Sequence, residues 1–245
     1  MPVLSLLRRL HNNKRIFIET RDEARHFKTH YGQFGEDIVI SNLLAEARIG
    51  PDSIYIDCGA HNPVHISNTL LLHKQGWSGI NVDLSEEKIR RFVELRPRDF
   101  NVCAALSDSH KDVRVARYEK SVTNRILSGS DVKSLCNESP LEIGEVRSQT
   151  LDEIYRRSPF FGRPVGLLNV DCEGHDLEVL KGANLSELRP WLVVVEAFGS
   201  AIQETTRRFL EGEGYSFELR VQQSMFFTRS NLSRGDVTGA ATHPL

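Results

Sequence analysis

Two carboxylates and an imidazole stand within five residues at Asp171-Cys172-Glu173-Gly174-His175. An imidazole titrates near neutral pH, and a neighbouring carboxylate can orient it or take a proton itself. The set suits general base work, with His175 as first candidate, Asp171 as orienting or alternate base, and Glu173 beside them. The same three groups could instead gather a divalent cation. Oxygen-rich metal sites usually recruit more distant residues, so a cation is possible but not favoured, and we assign no metal ligand. The plainest alternative is a helix start, in which Asp171 or Glu173 caps the first turn and His175 bonds to backbone. One carboxylate suffices for a cap, so a site accounts for more of the cluster.

The surrounding elements must place these groups. Leu167, Leu168 and Val170 form a short apolar run before the cluster, and Leu177, Val179 and Leu180 follow at helical spacing until Gly182. The cluster thus sits at the carboxyl end of a buried strand, which is where open α/β sheets bind ligands. The same alternation runs along the chain. We expect strands at Ser53–Asp57, Gly79–Asp83, Asn101–Ala105, Leu167–Val170 and Trp191–Ala197, with a short one at Val113–Tyr118. Helical spacing of Ile66, Thr69, Leu70 and His73 predicts a helix ending at Gly76. Ser85 should cap another that ends near Pro97, and a further helix covers Ile202–Leu210. Phe217–Arg220 and Met225–Thr228 are close enough for an antiparallel hairpin at the sheet edge. The pattern predicts βαβ units in a mostly parallel sheet with helices on both faces.

The strand ends Asp57-Cys58-Gly59 and Asp83 make a second constellation. Glycine just past a strand admits close backbone approach, and an acid ending the next strand can accept from ribose hydroxyls. The pair reads as a nucleoside site. A dinucleotide would require G-x-G-x-x-G, and only Gly59 is present, with His61 and Pro63 among the residues that follow. S-adenosylmethionine carries no phosphate, and Asp57 can meet its cationic amino group.

The 245 residues fit one α/β domain, and 31 basic against 33 acidic side chains give a net charge of -2. That balance offers no global argument for a nucleic-acid partner, and we expect none. The longest aliphatic run, Leu192 to Val195, is too short to cross a bilayer. At the N-terminus an apolar run precedes the basic residues, the wrong order for a secretory signal. Residues 1–30 read as a helical extension, for docking or weakly for a membrane surface, 31–230 as the catalytic domain, and 231–245 as a disordered tail. Within the domain, 119–148 is polar and irregular and is expected to be a lid or substrate-shaping insertion. Cys58, Cys103, Cys136 and Cys172 lack metal-ligand spacing, so we read reduced thiols, no zinc and a cytoplasmic protein.

Seven colinear segments resemble the FkbM family of methyltransferases. They are GQFGED (Gly32 to Asp37), YIDCGAHNP (Tyr55 to Pro63), SNT (Ser67 to Thr69), GWSGINVD (Gly76 to Asp83), RPRD (Arg96 to Asp99), TLDEI (Thr150 to Ile154) and NVDCEGHDLEVLKG (Asn169 to Gly182). The resemblance implies a Rossmann-like class I fold with a seven-stranded sheet. It also implies S-adenosylmethionine-dependent O-methylation, often of a sugar hydroxyl in a polysaccharide or glycoconjugate. Pro63 departs from the looser D-x-G-x-x-x-G turn of many class I enzymes.

Carried over, Asp57, Gly59 and Ala60, with His61 and Asn62, would line the methionine part, while Asp83 and Leu84 would hold the ribose side. Ala105, Leu106 and Ser107 would approach the adenine, and Asp171 would lie next to the methyl group. Gln33, Glu36, Asn68 and Thr69 would close the pocket, although Glu36 and Asn68 also suit helix capping. Outside the segments of the resemblance, Thr123, Asn124 and Arg125 of the insertion could grip sugar hydroxyls or an attached phosphate, or equally form a solvated loop, and Glu196 at the end of the fifth strand is a further acid for the same cleft. A lipid, polyketide or nitrogen acceptor, or an adenosyl-binding module without catalysis, are the rival readings. Oligomeric state is not encoded legibly.

Overall fold

A computed structural model describes residues 29–117, 125–127 and 142–230. The chain divides at His30–Tyr31 into two compact units, and the second carries every element below. In chain order these begin with α1 (Glu36–Glu46), β1 (Ile54–Cys58), α2 (Leu70–Lys74), β2 (Ser78–Asp83), α3 (Glu86–Leu95) and β3 (Phe100–Cys103). Next come β4 (Ala105–Leu106), β5 (Asp112–Arg117), β6 (Arg125–Leu127), β7 (Glu142–Gln149), α4 (Leu151–Arg156) and β8 (Val165–Val170). Then follow α5 (Asp176–Lys181), α6 (Leu185–Leu188), β9 (Leu192–Glu196), α7 (Ser200–Gly212), β10 (Tyr215–Val221) and β11 (Ser224–Arg229).

The main sheet has seven strands in the order β10-β11-β9-β8-β1-β2-β3. Only β11 runs against its neighbours, inserted between β9 and β10. β1 and β8 are buried along their whole length, as expected of parallel strands covered on both faces. On one side Tyr55, Leu167 and Val194 pack against Ile40 and Leu44 of α1 and against Trp77. On the other, Ile56, Leu168 and Val193 meet Ile154 of α4, Val179 of α5, Leu188 of α6 and Leu210 of α7. Each such side chain contributes about 1.5–3 kcal/mol on burial, so the strand axes are firmly fixed.

Two sequence expectations change. The helix expected from Ile66 begins only at Leu70. Before it, Asn62 Oδ1 accepts from the backbone N–H groups of Val64 and His65, and Ile66 adopts a φ of 52°, so the chain turns rather than coils. Likewise, β3 stops at Cys103, and Ala105–Leu106 crosses into a second sheet ordered β4-β7-β5-β6. Parts of the segment read as an irregular insertion therefore form strands, at 125–127 and 142–148, because 125–127 and 142–147 pair with β5 and Ser148 pairs with Ala105 of β4. The rest of 119–148, like 1–28 and 231–245, lies outside the described residues.

Candidate active site

Four neighbouring strands each deliver a carboxyl group at their carboxyl ends. Glu196 closes β9, Asp171 follows β8, Asp57 sits in the last turn of β1, and Asp83 ends β2. All four line one cleft of about 440 Å³, together with Glu173, Lys88, Asn68 and Asn169.

Close contact between β1 and β8 makes the cleft narrow. Asp171 donates its backbone N–H to the Cys58 carbonyl at 2.9 Å, and a Cβ on Gly59 would lie 1.7 Å from the Asp171 carbonyl oxygen. Gly59 also has a φ of 77°. The glycine was expected to admit a ligand; what demands it first is this backbone approach. Past Asp171, Glu173 and Gly174 both take positive φ, 54° and 92°, and Glu173 faces the cleft. Asp176 fixes that turn by accepting from the Cys172 and Gly174 N–H groups at 2.7 and 3.0 Å. Burial pushes its carboxyl up to about 7 against the lowering effect of those bonds.

The same turn carries His175 away from the cleft. Its ring is buried, with Nε2 3.0 Å from Ser107 Oγ, and it does not line the cavity. The physical reason is its position as N-cap of α5, where the turn brings it to Ser107, the residue after β4. Asp171, Glu173 and His175 therefore do not converge, and among the described residues no cluster of three such groups is placed to hold a metal ion.

Asp57 is held by a buried network. Its two carboxylate oxygens accept from Asn169 Nδ2 at 2.8 Å and Thr69 Oγ1 at 2.7 Å. Asn68 Nδ2 in turn donates to Asn169 Oδ1. Behind this row lies Arg96, 1% exposed, whose guanidinium donates to the Pro63 carbonyl, Ser67 Oγ and Thr69 Oγ1 at 2.6 to 3.0 Å. Burial raises the Asp57 carboxyl, while these donors and the Arg96 charge pull it down.

Asp83 accepts from the N–H groups of His61 and Ser85 at 2.9 and 2.8 Å, with Lys88 Nζ at 3.6 Å. Burial lowers the His61 imidazole to about 4, helped by the charge of Lys88, so the ring is neutral at physiological pH. Beside Asp83 and Gly59 opens a small apolar slot walled by Val82, Leu84, Leu106 and Ile126.

Asp171 and Glu196 stand side by side in the cleft with their carboxyl groups within hydrogen-bonding reach. Burial, then the neighbouring Asp171 charge, pushes Glu196 up to about 9. Burial also raises Asp171, opposed by hydrogen bonding from Glu196. Two carboxyls this close cannot both ionise cheaply, so the pair keeps one proton at neutral pH.

Of the expected cofactor residues, the cleft or its slot brings together Gln33, Asp57, Gly59, Ala60, His61, Asn68, Asp83, Leu84, Leu106 and Asp171. Glu36, Asn62 and Thr69 instead shape its walls, Glu36 by accepting from the Phe34 N–H at 2.8 Å. Ala105 belongs to the second sheet and packs with Val113 and Val115 of β5, and Ser107 is buried on His175. Glu196 lines the cleft; Thr123 and Asn124 lie outside the described residues, and Arg125 begins β6. Sequence reasoning missed Arg96, Asn169, Lys88 and the half-exposed Phe34 and Phe198 at the rim. Phe34, Arg96 and Asn169 stand within the segments GQFGED, RPRD and NVDCEGHDLEVLKG, and Asn169 gave a further signal as an amide inside an apolar strand.

The sequence matches the family model described as Methyltransferase FkbM domain over residues 57–217. Among solved structures it is similar to a precorrin-6y C5,15-methyltransferase from Geobacter metallireducens, at 12% identity and TM-score 0.40, covering 78% of this chain and 85% of that one. It is also similar to a precorrin 8w decarboxylase from Methanobacterium thermoautotrophicum, at 13% identity and TM-score 0.40, covering 78% and 89%. No curated protein matches the sequence.

Proposed function

The chain belongs to the FkbM methyltransferase family, and from that premise we propose that it is an O-methyltransferase acting on a hydroxyl of a sugar or glycoconjugate. The family's cofactor is S-adenosylmethionine, and the charge of the cleft fits it. Five carboxyl groups face one ammonium there, a field that draws a cation and repels pyrophosphate. When bound, S-adenosylmethionine supplies a methyl group on a cationic sulfur. Asp83 would hold the ribose hydroxyls, the slot of Leu84, Leu106 and Ile126 the adenine, and Asp57 with Asn68 the amino-acid end.

The observation that carries the reading is the Asp171–Glu196 pair facing this cleft. An alcohol must lose its proton as its oxygen bonds to carbon, and a carboxylate oxygen of the pair accepts it. The singly protonated pair has one such oxygen ready and a neutral partner to hold it in place. Because His175 turns toward Ser107, we assign the base to the pair rather than to the imidazole. Phe34 and Phe198, 51% and 50% exposed, flank the entrance and suit the apolar face of a pyranose ring. Those same rings favour a second reading, an acceptor hydroxyl on a lipid or polyketide.

Calorimetric titration with S-adenosylmethionine, S-adenosylhomocysteine and NAD, followed by transfer of a labelled methyl group to saccharide acceptors, tests the proposal. Binding of both adenosyl ligands but not NAD, with label on a sugar oxygen that Asp171→Asn abolishes, is expected. Label found only on lipid or nitrogen acceptors would discard the sugar assignment, and transfer unaffected by Asp171→Asn would discard the base.

A further inference from the structure

A second cavity, of about 450 Å³, opens at the opposite edge of the main sheet. It is entered beside Val165, the first residue of β8, Trp191, just before β9, and Arg229, the last residue of β11. Strands of five or six residues separate it from the carboxylate cleft, a distance of roughly 15–20 Å. Nothing bound there touches the methyl-transfer site.

Its chemistry is the reverse of the cleft's. Arg163, Arg189 and Arg229 line it, and among the described residues none of the three forms an ion pair. Glu187, the one acid in the lining, is already bonded to Arg156 and Asn184. Arg163 is braced by the carbonyls of Pro51 and Asp52 at 3.3 and 3.0 Å and stacked on Phe160. Arg229 donates from Nη1 to the Arg189 carbonyl, yet its Nε is buried without a hydrogen-bond partner. The Arg229 guanidinium thus keeps hydrogen-bonding capacity that the protein itself does not use. Trp191 and the half-exposed Phe161 add aromatic faces to the wall.

We propose that this cavity binds a nucleoside diphosphate, with the arginines on the phosphates and the aromatic wall against the base. Three guanidinium groups against the single carboxylate of Glu187 suit more than one phosphate charge, and planar side chains suit a planar ring. The volume falls within the range of small-molecule pockets.

The test uses the full chain saturated with S-adenosylhomocysteine, in EDTA, titrated with ADP, pyrophosphate and adenosine while tryptophan emission is followed. Trp77, the other tryptophan, is buried in the core, so Trp191 is the reporter. Saturable quenching by ADP is expected, with pyrophosphate displacing it at higher concentration and adenosine giving none. Arg189→Gln/Arg229→Gln should weaken ADP binding about tenfold or more while leaving S-adenosylhomocysteine affinity unchanged. An absent ADP response, a response undiminished in the double variant, or adenosine binding as tightly as ADP each overturns the proposal. Should S-adenosylhomocysteine leave the main cleft open, the arginine variant still distinguishes the two sites.

Discussion

The Asp171 carbonyl oxygen occupies the space in which a side chain on Gly59 would begin, 1.7 Å from an ideal Cβ. The two residues end adjacent parallel strands, so one backbone contact sets the width of the cleft floor. Gly59→Ala adds both a clash with backbone and a side chain at a φ of 77°. Together these should cost about 3 kcal/mol and lower the melting temperature by roughly 6–12 °C. Thermal denaturation checks it; a melting point within a degree of the parent would mean that the strands separate freely.

Arg96 holds the turn Pro63–Thr69 against Asp57 with every contact out of water. Arg96→Met removes the charge that faces Asp57 and leaves the Pro63 carbonyl without its donors, while Ser67 and Thr69 keep only their bonds to the Leu70 N–H and to Asp57, at a cost of about 3–5 kcal/mol. Arg96→Lys should recover little, because an ammonium cannot reproduce the planar fork on Pro63, Ser67 and Thr69. Urea unfolding of both variants, with cofactor affinity measured in parallel, decides this. Full recovery by lysine would show that charge alone matters.

What the sequence made legible was the frame. Apolar runs ending in Asp57, Asp83, Asp171 and Glu196 mark strands, and their order predicts which ends lie together. Side-chain direction past a strand end was not legible. His175 lies only four residues beyond Asp171, yet the positive φ of Glu173 and Gly174 turns it toward Ser107. Arg96 opens the family-like RPRD segment, yet its role was hidden, since an arginine before proline looks like a helix terminus until its partners, 27 to 33 residues upstream, fold over it. The strands β6 and β7 escaped because their residues alternate weakly and gain order from pairing with β5.

Glu196 makes the protein sensitive to alkali. Its folded value, about 9, lies above the ordinary 4.5, so the stability linked to its proton is complete below about pH 4.5 and is lost as pH rises toward 9. Asp176, pushed up to about 7, acts with the same sign over the lower part of that window. Glu196→Gln keeps the volume and a donor to Asp171 while removing the ionisation. Its melting temperature should overtake the parent's as pH rises from 7 to 9, with methyl transfer impaired throughout. Parallel melting curves across that range would show that Glu196 is ionised from the start.

Cofactor binding should release protons. Burial holds Asp57, Asp83, Asp171 and Glu196 above their ordinary values in the free cleft, and repulsion from neighbouring carboxyls adds to this at Asp57, Asp171 and Glu196. A bound sulfonium and ammonium favour the ionised forms, so these values fall and protons pass to the buffer. S-adenosylhomocysteine keeps the ammonium but lacks the sulfonium charge, and should release fewer protons. Calorimetry at pH 7.5 in buffers of low and high ionisation enthalpy reads this directly, as the slope of observed heat against buffer heat. The slope should signify release for both ligands and be larger for S-adenosylmethionine. Asp171→Asn should bring the two slopes together, since the proposed base assignment sets the Asp171–Glu196 pair against the transferred methyl. Equal slopes in the parent would separate the Asp171–Glu196 pair from the sulfonium and return the base assignment to another group.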